Sequence, residues 1–388
     1  MRLKIFQIVF WALVLGALPQ SCAAPHPRKP SAAHGAFFFR EAIIPPLEME
    51  DFERNSLLSA LEGSLTYLEK MKSAPSSPLR AGGEEMFSPE QIQKSLRRFR
   101  EILMTTPDRA EIERKIGEGF SFWEGSRGNS ANFILLTGYY EPILEGNPDA
   151  GGDYRYPLYR RPDDLGEVIP GESPSPYYSR REIDMQGALR GRGLEIIWLK
   201  DPWERFVIHI QGSGQVRLPD GKIVRIGYAG SNGRPYRSIG RHLINQGYLN
   251  EKDVSMERVR DFIQRNPGLA QEIFNYNERY IFFRFLPDSP GPIGALGVPL
   301  TPGRSIATDL KIFPAGALGF LVSRQPDLDE AGKIVGWKPL RRFVLNQDTG
   351  AAIQGPGRVD LFFGSGERAG TAAGEMREEG KVYFLLAK

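Results

Sequence analysis

The chain has 388 residues, of which 41% are hydrophobic and 25% charged, and its formal net charge is +3. This composition is ordinary for a globular protein, and the length allows one large domain or two of average size. The small positive excess is compatible with an acidic polymer as partner, but it is too weak to predict nucleic-acid binding.

Residues 1–22 have the order of a secretory signal. Basic residues precede an apolar segment that is too short to span a bilayer comfortably, and small residues follow around Cys22. Because the only cysteine of the chain stands where the signal would be cut, we expect lipid attachment at Cys22. The proline and glutamine just upstream fit a lipoprotein cleavage box poorly, so ordinary cleavage after Ala23 or Ala24 is the alternative. In either case we expect an exported protein without a disulfide.

The next part of the chain predicts a tether and then helices. Residues 23–40 are rich in proline, alanine and histidine, which is typical of a tether. Three helices are predicted after it, at about 50–71, from Ser88 onward, and from Thr106 to about Gly117. The second is the best signalled, because Ser88 and Gln91 can form a capping box around Pro89.

From Phe133 onward, short apolar runs predict strands. The runs are FILLTGYYEP, LEIIWLK, RFVIHIQ, KIVRIGYAG, YIFFRFL, GALGFLV and KVYFLLA, with LPDG at 218–221 as a hairpin turn. One helical patch interrupts them at about 253–276, opened by Asp253 or Ser255 and broken at Pro267. The pattern predicts a few N-terminal helices followed by strand-rich barrels or sandwiches.

The residue inventory excludes several kinds of catalytic site. No two of the four histidines have metal-ligand spacing, and His209 is expected to be a packed residue on a strand. The only cysteine lies in the leader, so Cys–His catalysis is excluded. Neither of the two Gly-Ser-Gly stretches, around Ser213 and Ser365, is a nucleophile elbow, and no phosphate-binding loop is present. Carboxylate chemistry remains, or binding without chemistry.

Two aspartates, Asp348 and Asp360, stand at either end of a glycine-rich loop. An acid that cleaves a glycosidic bond must be protonated, and the apolar neighbours of Asp360 in Val359–Phe363 disfavour its charged form. Arg358 would oppose this effect if it pointed at the carboxylate. Local sequence therefore leaves Asp360 open as a proton donor, a turn cap or one partner of a structural ion pair.

Aromatic residues with polar tips could stack on the faces of sugars. Core packing is the alternative for each of them: Tyr139, Tyr140, Trp198, Trp203, Tyr228 and Tyr236. The loops at 210–214 and 227–240 offer backbone amides and short side chains that could bind sugars, although they could equally be plain turns.

Several stretches together resemble one known family. In chain order they are Thr137–Pro142, Ile210–Gly214, Tyr236–Gly240, Gly297–Ala307, Gln347–Gly350 and Asp360–Gly364. This ordered set resembles the lytic murein transglycosylase A family, membrane-bound enzymes whose C-terminal part belongs to the three-aspartate barrel domains. The resemblance runs from about Phe133 to Leu386, and the three aspartates would be Asp309, Asp348 and Asp360.

The resemblance implies a mainly β fold. Its main domain would be a double-psi β-barrel with N-terminal helices, and a smaller β-barrel-like domain would be inserted into it. The catalytic domain would comprise 41–144 and 276–388, and the insert would comprise 145–275. A glycan strand would lie in the groove between them.

The resemblance also implies a reaction. The β-1,4 bond between N-acetylmuramic acid and N-acetylglucosamine would be cleaved without water, leaving a 1,6-anhydromuramic end. Asp360 would be the single acid/base, Asp348 a supporting residue, and Asp309 structural. Glycan contacts are expected from Thr137, Tyr139, Tyr140, Gln211 and Ser213, with Arg241 as a weaker match. Neither a metal nor a cofactor is expected.

The expected partners follow from the same family. They are peptidoglycan glycan strands and the membrane, through a lipid anchor at Cys22 on the periplasmic side of the outer membrane. Cell-wall synthesis proteins are candidate partners, nucleic acid is not, and a monomer is expected. Two other functions stay open: a glycan-binding cell-wall module without catalysis, and a lysozyme-like hydrolase that uses Asp348 and Asp360 as a pair. Endo or exo action and the need for peptide stems also stay open.

Overall fold

Two β-sheets and the helices packed on them make up the computed structural model, which describes residues 37–48, 53–72, 87–126, 133–166, 176–252 and 254–388. The predicted leader with Cys22, the tether as far as residue 36, and Asp253 lie outside the described residues. Within the described ranges, no helix is long and apolar enough to cross a membrane.

The described chain begins with a strand, three helices and a second strand. These are β1 (Phe38–Ala42), α1 (Arg54–Lys72), α2 (Pro89–Thr105), α3 (Arg109–Gly119) and β2 (Phe120–Ser126). β1 pairs with β2, so the predicted tether, which extended to residue 40, is too long at its C-terminal end. The three predicted helices are confirmed. The capping box of α2 is also confirmed, because Gln91 N–H donates to Ser88 Oγ and Ser88 N–H donates to Gln91 Oε1, each at 3.3 Å.

The remaining elements alternate between strands and shorter helices. In chain order they are β3 (Ile134–Glu141), β4 (Ile143–Asn147), β5 (Tyr156–Tyr159), α4 (Arg180–Asp184), β6 (Glu195–Leu199), α5 (Pro202–Gln211), β7 (Ser213–Arg217), β8 (Ile223–Ser231), α6 (Ile239–Asn245), α7 (Met256–Arg265), α8 (Pro267–Tyr276), β9 (Ile281–Leu286), β10 (Ser305–Ala307), β11 (Leu318–Leu328), β12 (Ile334–Asp348), β13 (Arg358–Ser365), α9 (Glu367–Glu375) and β14 (Arg377–Ala387). The predicted helical patch is two helices, with Ser255 as the cap of α7 and Pro267 at the start of α8.

Six strands of the first sheet close into a barrel. They follow the order β14-β11-β12-β10-β13-β3, and β3 pairs again with β14. The pairings of β10 with β12 and of β13 with β3 are parallel, whereas the others in the ring are antiparallel. Closure removes the open edges of these six strands. The predicted mainly β fold with a barrel as its centre is confirmed.

The second sheet has the order β5-β6-β4-β7-β8-β9. A single parallel bridge between Arg160 and Phe283 joins its two ends, which gives it a barrel-like form. The predicted LPDG turn joins β7 to β8, where Gly221 N–H donates to Leu218 O at 2.9 Å. The chain enters this sheet after Pro142, and β9 extends it to Leu286, past the predicted end of the insert at residue 275.

One predicted strand is wrong. The run RFVIHIQ is part of the helix α5, which begins at Pro202 after Asp201 accepts a hydrogen bond from Trp203 N–H at 2.8 Å. Both faces of α5 are buried, because Ile208 packs in the core of the second sheet while Trp203 and neighbouring side chains pack among the helices. Burial on both faces produces a continuous apolar run that resembles a strand. His209 is therefore a buried helical residue.

Candidate active site

Four neighbouring strands place one residue each in a common row. Asp360 on β13 is in register with Ala307 on β10 and with Thr137 on β3. Ala307 is also in register with Asp348 on β12. Because side chains directly opposite each other on paired strands point to the same face, the row brings Asp348, Asp360 and Thr137 together on one face of the barrel.

A bulge in β12 gives Asp348 its place in this row. Ile306 is in register with Asn346 and Ala307 with Asp348, so Gln347 is the extra residue between them. The Gln347 side chain is fully buried, donates to Ala60 O of α1 at 2.7 Å, and accepts a hydrogen bond from Ser305 Oγ, also at 2.7 Å. A bulge re-aims the residues beside it. The buried amide of Gln347 thus fixes the direction of the neighbouring Asp348.

Asp360 is held by two side chains. Arg358 donates from Nε to Asp360 Oδ1 at 2.8 Å and from Nη2 to Oδ2 at 3.0 Å, which is a two-point ion pair. The hydroxyl of Thr137 donates to the same Oδ1, and Arg358 Nε also contacts that hydroxyl at 3.2 Å. The Asp360 side chain is 9% exposed and that of Arg358 is 33% exposed, so the pair lies at the edge of the protein interior.

The apolar residues next to Asp360 in the chain do not surround its carboxylate. Residues along a strand alternate between its two faces, so Val359 and Leu361 point into the barrel core, away from the carboxylate. The neighbours on its own face are Arg358 and Phe362. The geometry therefore includes the ion pair that local sequence left open for Asp360.

The environment of Asp348 favours the protonated form of its carboxyl group. Desolvation by the surrounding protein raises the pKa of Asp348 to about 6, and the nearby charge of Asp360 adds to the rise. The N–H groups of Ala295 and Thr349 and the hydroxyl of Tyr139 oppose it by stabilising the carboxylate. The Ala295 N–H donates to Asp348 Oδ1 at 2.8 Å. Burial and the Asp348 carboxylate together raise the pKa of Tyr139 well above its usual value.

Asp309 makes contacts of another kind. Its Oδ2 accepts a hydrogen bond from Gly355 N–H at 2.8 Å, and its Oδ1 accepts one from Lys311 N–H at 3.1 Å. Both are backbone contacts within loops, typical of an aspartate that shapes a turn. A structural role for Asp309 stays a prediction.

Tyr139 and Tyr140 point to opposite faces of β3. The Tyr139 ring packs on Phe362 with 5.3 Å between ring centroids, on the face that carries Asp360. The Tyr140 ring packs with the helices around α5 and against α9, where a Cβ on Gly370 would come within 3.0 Å of it. Between the two tyrosines, only glycine fits at position 138, because a Cβ there would lie 2.7 Å from Ala373 Cα.

The other predicted glycan contacts lie in or beside the second sheet. Gln211 ends α5, and its Oε1 accepts a hydrogen bond from Tyr140 N–H at 3.3 Å. Ser213 begins β7 just after Gly212, whose φ of 79° closes the helix. Arg241 is exposed on α6 and pairs with Glu251 at 3.0 Å. Trp203 is a buried core residue rather than a groove residue.

Two further residues lie near the row: Tyr236, predicted only as an aromatic that could stack on a sugar or pack in the core, and Glu141, not predicted as a site residue. Tyr236, in the loop after β8, lies close enough for the charges of Asp360 and Arg358 to act on its hydroxyl, whose pKa is raised chiefly by burial. Glu141, the last residue of β3, is fully buried and contacts both sheets. The sequence feature that could have indicated both residues is their position within the motifs at 137–142 and 236–240. Among the described residues, no cluster of three histidine, cysteine or acidic side chains could hold a metal ion.

Comparison with known proteins identifies two family models in the chain. Residues 135–284 match the model described as the MltA specific insert domain, and residues 304–386 match the 3D domain. The membrane-bound lytic murein transglycosylase A of Escherichia coli K12 is 33% identical over 270 residues, which is 69% of each chain.

Solved structures of lytic murein transglycosylases also resemble the chain. The chain resembles the membrane-bound lytic murein transglycosylase of Agrobacterium tumefaciens with a TM-score of 0.73 and 31% identity, over 90% of this chain and 97% of that one. It also resembles Escherichia coli MltA with bound chitohexaose, with a TM-score of 0.69 and 26% identity, over 90% of this chain and 94% of that one.

Proposed function

The chain belongs to the lytic murein transglycosylase A family, and we propose that this peptidoglycan lytic transglycosylase uses Asp360 as a single acid/base to form a 1,6-anhydromuramic end. The observation that carries the proposal is the row of Asp348, Asp360 and Thr137, which gathers on one face the groups that a proton-transfer site needs.

The reaction needs one carboxyl in two roles. Asp360 protonates the glycosidic oxygen as the bond from that oxygen to muramyl C1 breaks. The C6 hydroxyl of the same sugar then bonds to C1, and its proton returns to Asp360. No water is consumed, and the acid is regenerated. Because the nucleophile is held within the substrate, no second catalytic carboxylate is required.

Arg358 and Thr137 orient Asp360 for both steps. The guanidinium donates to both carboxylate oxygens and the Thr137 hydroxyl donates to Oδ1, so the carboxyl is held in one direction. Arg358 is itself held by its Nη1, which donates to Ala352 O at 3.3 Å.

The glycan would lie between the two sheets. One wall carries Thr137 and Tyr139, and the other carries Gln211, Ser213 and Tyr236. An Escherichia coli relative has been solved with bound chitohexaose, a chain of β-1,4-linked sugars, and this supports a glycan as ligand. The division into a catalytic domain of 41–144 and 276–388 and an insert of 145–275 remains our proposal for how these walls are built.

The test is the chemistry of the product ends. The protein would be incubated with murein sacculi, and the soluble products would be analysed by mass spectrometry. We expect muropeptides with 1,6-anhydromuramic ends, which are lighter by one water than the products of hydrolysis. Reducing ends in their place would overturn the non-hydrolytic mechanism, and sacculus binding without any product would favour a glycan-binding module.

A second candidate is a hydrolase that uses both aspartates. It is favoured by one observation, the unequal environments of the two carboxyls: Asp348 has a pKa raised to about 6, whereas Asp360 faces a cation. Such a difference is typical of a paired acid and carboxylate. In that case Asp348 would donate the proton, and the products would carry reducing ends.

We place the enzyme on the periplasmic side of the outer membrane, anchored through Cys22. The relatives from Escherichia coli and Vibrio cholerae are named membrane-bound enzymes, which supports a membrane attachment. Metabolic labelling with a fatty acid would test it. Label in the wild-type chain and its absence in Cys22→Ala would support the anchor, whereas an unlabelled wild-type chain would favour cleavage after Ala23 or Ala24. A monomer and recruitment by cell-wall synthesis proteins are proposed on the same family basis.

A further inference from the structure

Glu141 is a buried carboxylate at the point where the chain leaves the first sheet for the second. It is the last residue of β3, and β4 begins two residues later. No part of Glu141 is exposed to solvent. Burying a charge costs free energy unless other groups pair with it, so the groups that contact Glu141 indicate its role.

Its partners come from both sheets. In the first sheet, Ser365 Oγ donates to Glu141 Oε2 at 2.7 Å. In the second sheet, Gln215 Nε2 on β7 donates to the same oxygen at 2.8 Å, and Arg225 Nη1 on β8 lies 3.1 Å from Glu141 Oε1. The Arg225 side chain is only 13% exposed, so solvent screens this ion pair weakly. One carboxylate therefore joins β3 and β13 to β7 and β8.

The backbone reinforces the same junction. Gly366 N–H donates to Glu141 O at 3.0 Å, and Gln215 N–H donates to Pro142 O at 2.9 Å. Four residues before Glu141, the same strand carries Thr137, which donates to Asp360. Beyond the junction, β7 begins at Ser213 and β8 leads into the loop with Tyr236. The junction thus lies between the acid and the residues of the opposite wall.

We propose that Glu141 is a positioning residue that sets the separation of the two sheets and, with it, the width of the glycan groove. This inference rests on the proposed function, because it concerns the groove of the same enzyme. Glu141 touches no reacting atom; it acts through the strands that carry Thr137 and Asp360 on one side and Ser213 and Tyr236 on the other.

Two variants and a matched control test the proposal. Glu141→Gln removes the charge and leaves Arg225 without its partner. Gln215→Met removes one contact between the sheets and keeps the ion pair, so it remains informative if the first variant fails to fold. Glu145→Gln is the control, because Glu145 on β4 pairs with Arg217 on β7 at 3.1 Å, but both belong to the second sheet and are about half exposed.

The kinetic measurement separates positioning from mere destabilisation. With soluble glycan strands as substrate, a less stable variant has fewer active molecules, so kcat falls and KM does not change. A groove of altered width instead binds the glycan less well and raises KM. We expect KM to rise by about tenfold in Glu141→Gln and by less in Gln215→Met. The KM of Glu145→Gln should equal that of the wild type. KM values of both test variants equal to that of the control would overturn the proposal.

A second measurement does not depend on catalysis. Nitroxide labels would be placed on Lys222→Cys, in the turn between β7 and β8, and on Ala331→Cys, in the turn between β11 and β12. In a full chain with Cys22→Ser, they report the distance between the sheets by pulsed electron paramagnetic resonance. We expect the distance distribution to broaden or shift in Glu141→Gln and Gln215→Met but not in Glu145→Gln. An unchanged distribution would overturn the role of Glu141. A wild-type chain that forms no anhydro product would overturn the proposed reaction alone.

Discussion

Arg358 and Asp360, two positions apart on β13, form an ion pair through two parallel contacts of 2.8 and 3.0 Å. The pair explains how a carboxylate can lie in an apolar strand, because the guanidinium donates a hydrogen bond to each of its oxygens. It also means that the proposed donor is restrained in this arrangement. The predictions below separate the part played by each member of the site.

The first prediction concerns Asp360→Asn. We expect loss of product by about 10²- to 10⁴-fold, because an amide cannot transfer the proton. Sacculus binding, measured by co-sedimentation, should persist, and the melting temperature should fall by a few degrees because Arg358 loses its partner. Asp327→Asn is the control and should keep its activity, because Asp327 is about half exposed and pairs with Lys338 at 2.8 Å. Product formation by Asp360→Asn at the wild-type rate would refute the assignment.

The second prediction concerns Arg358→Ala. Without the guanidinium, neither the Asp360 carboxylate nor the Thr137 hydroxyl keeps its orientation, and we expect kcat to fall by about 10- to 100-fold. Arg324→Ala is a matched control, because Arg324 also contacts a carboxylate, Glu378, through two nitrogens, at 3.0 and 2.7 Å, but outside the site. Equal kcat values for the two variants would show that the ion pair with Asp360 has no part in catalysis.

The third prediction concerns pH and Asp348. Its pKa is raised from 3.8 to about 6 in the folded protein, so ionising it costs more in the folded state than in the unfolded state. The free energy of unfolding therefore falls as the pH rises from about 4 to about 6, by at most about 3 kcal/mol, and the cost is absent below this range.

Asp348→Asn should remove this pH-dependent loss. Its free energy of unfolding relative to wild type, measured by urea denaturation, should increase between pH 4 and pH 7. Asp327→Asn is the control, because Asp327 is about half exposed and pairs with Lys338 at 2.8 Å. A difference between Asp348→Asn and wild type that stays constant with pH would contradict the raised pKa.

The fourth prediction concerns Tyr236→Ala. We expect weaker binding of chitohexaose, by about tenfold or about 1.4 kcal/mol, because the ring lies near Asp360 in the proposed groove and offers a flat apolar face to a sugar. Calorimetric titration would measure it. Tyr248→Ala is the control, since Tyr248 is half exposed and packs on Phe262 with 5.1 Å between ring centroids. Equal affinities for both variants would remove Tyr236 from the groove.

Local signals predicted a large part of the fold. The capping box at Ser88 and Gln91, the LPDG turn and the strands around 134–141 and 377–387 depend on residues close to each other in the chain. The helix α5 was missed, although Asp201 and Pro202 are standard signals of a helix start. The run after them was predicted as a strand because burial of both helix faces makes it continuously apolar, as in a buried strand.

The sequence by itself determined the family, the order of the motifs and the presence of an isolated carboxylate as the candidate acid. These depend on which residues are present and in what order. Only the tertiary structure decided what surrounds that carboxylate. Thr137 lies 223 positions before Asp360 and reaches it through strand register, the bulge at Gln347 aims Asp348, and Arg358 shares the face of Asp360 while the apolar neighbours point inward. Contacts between distant strands are set by packing of the whole barrel, and local residue preferences do not contain that information.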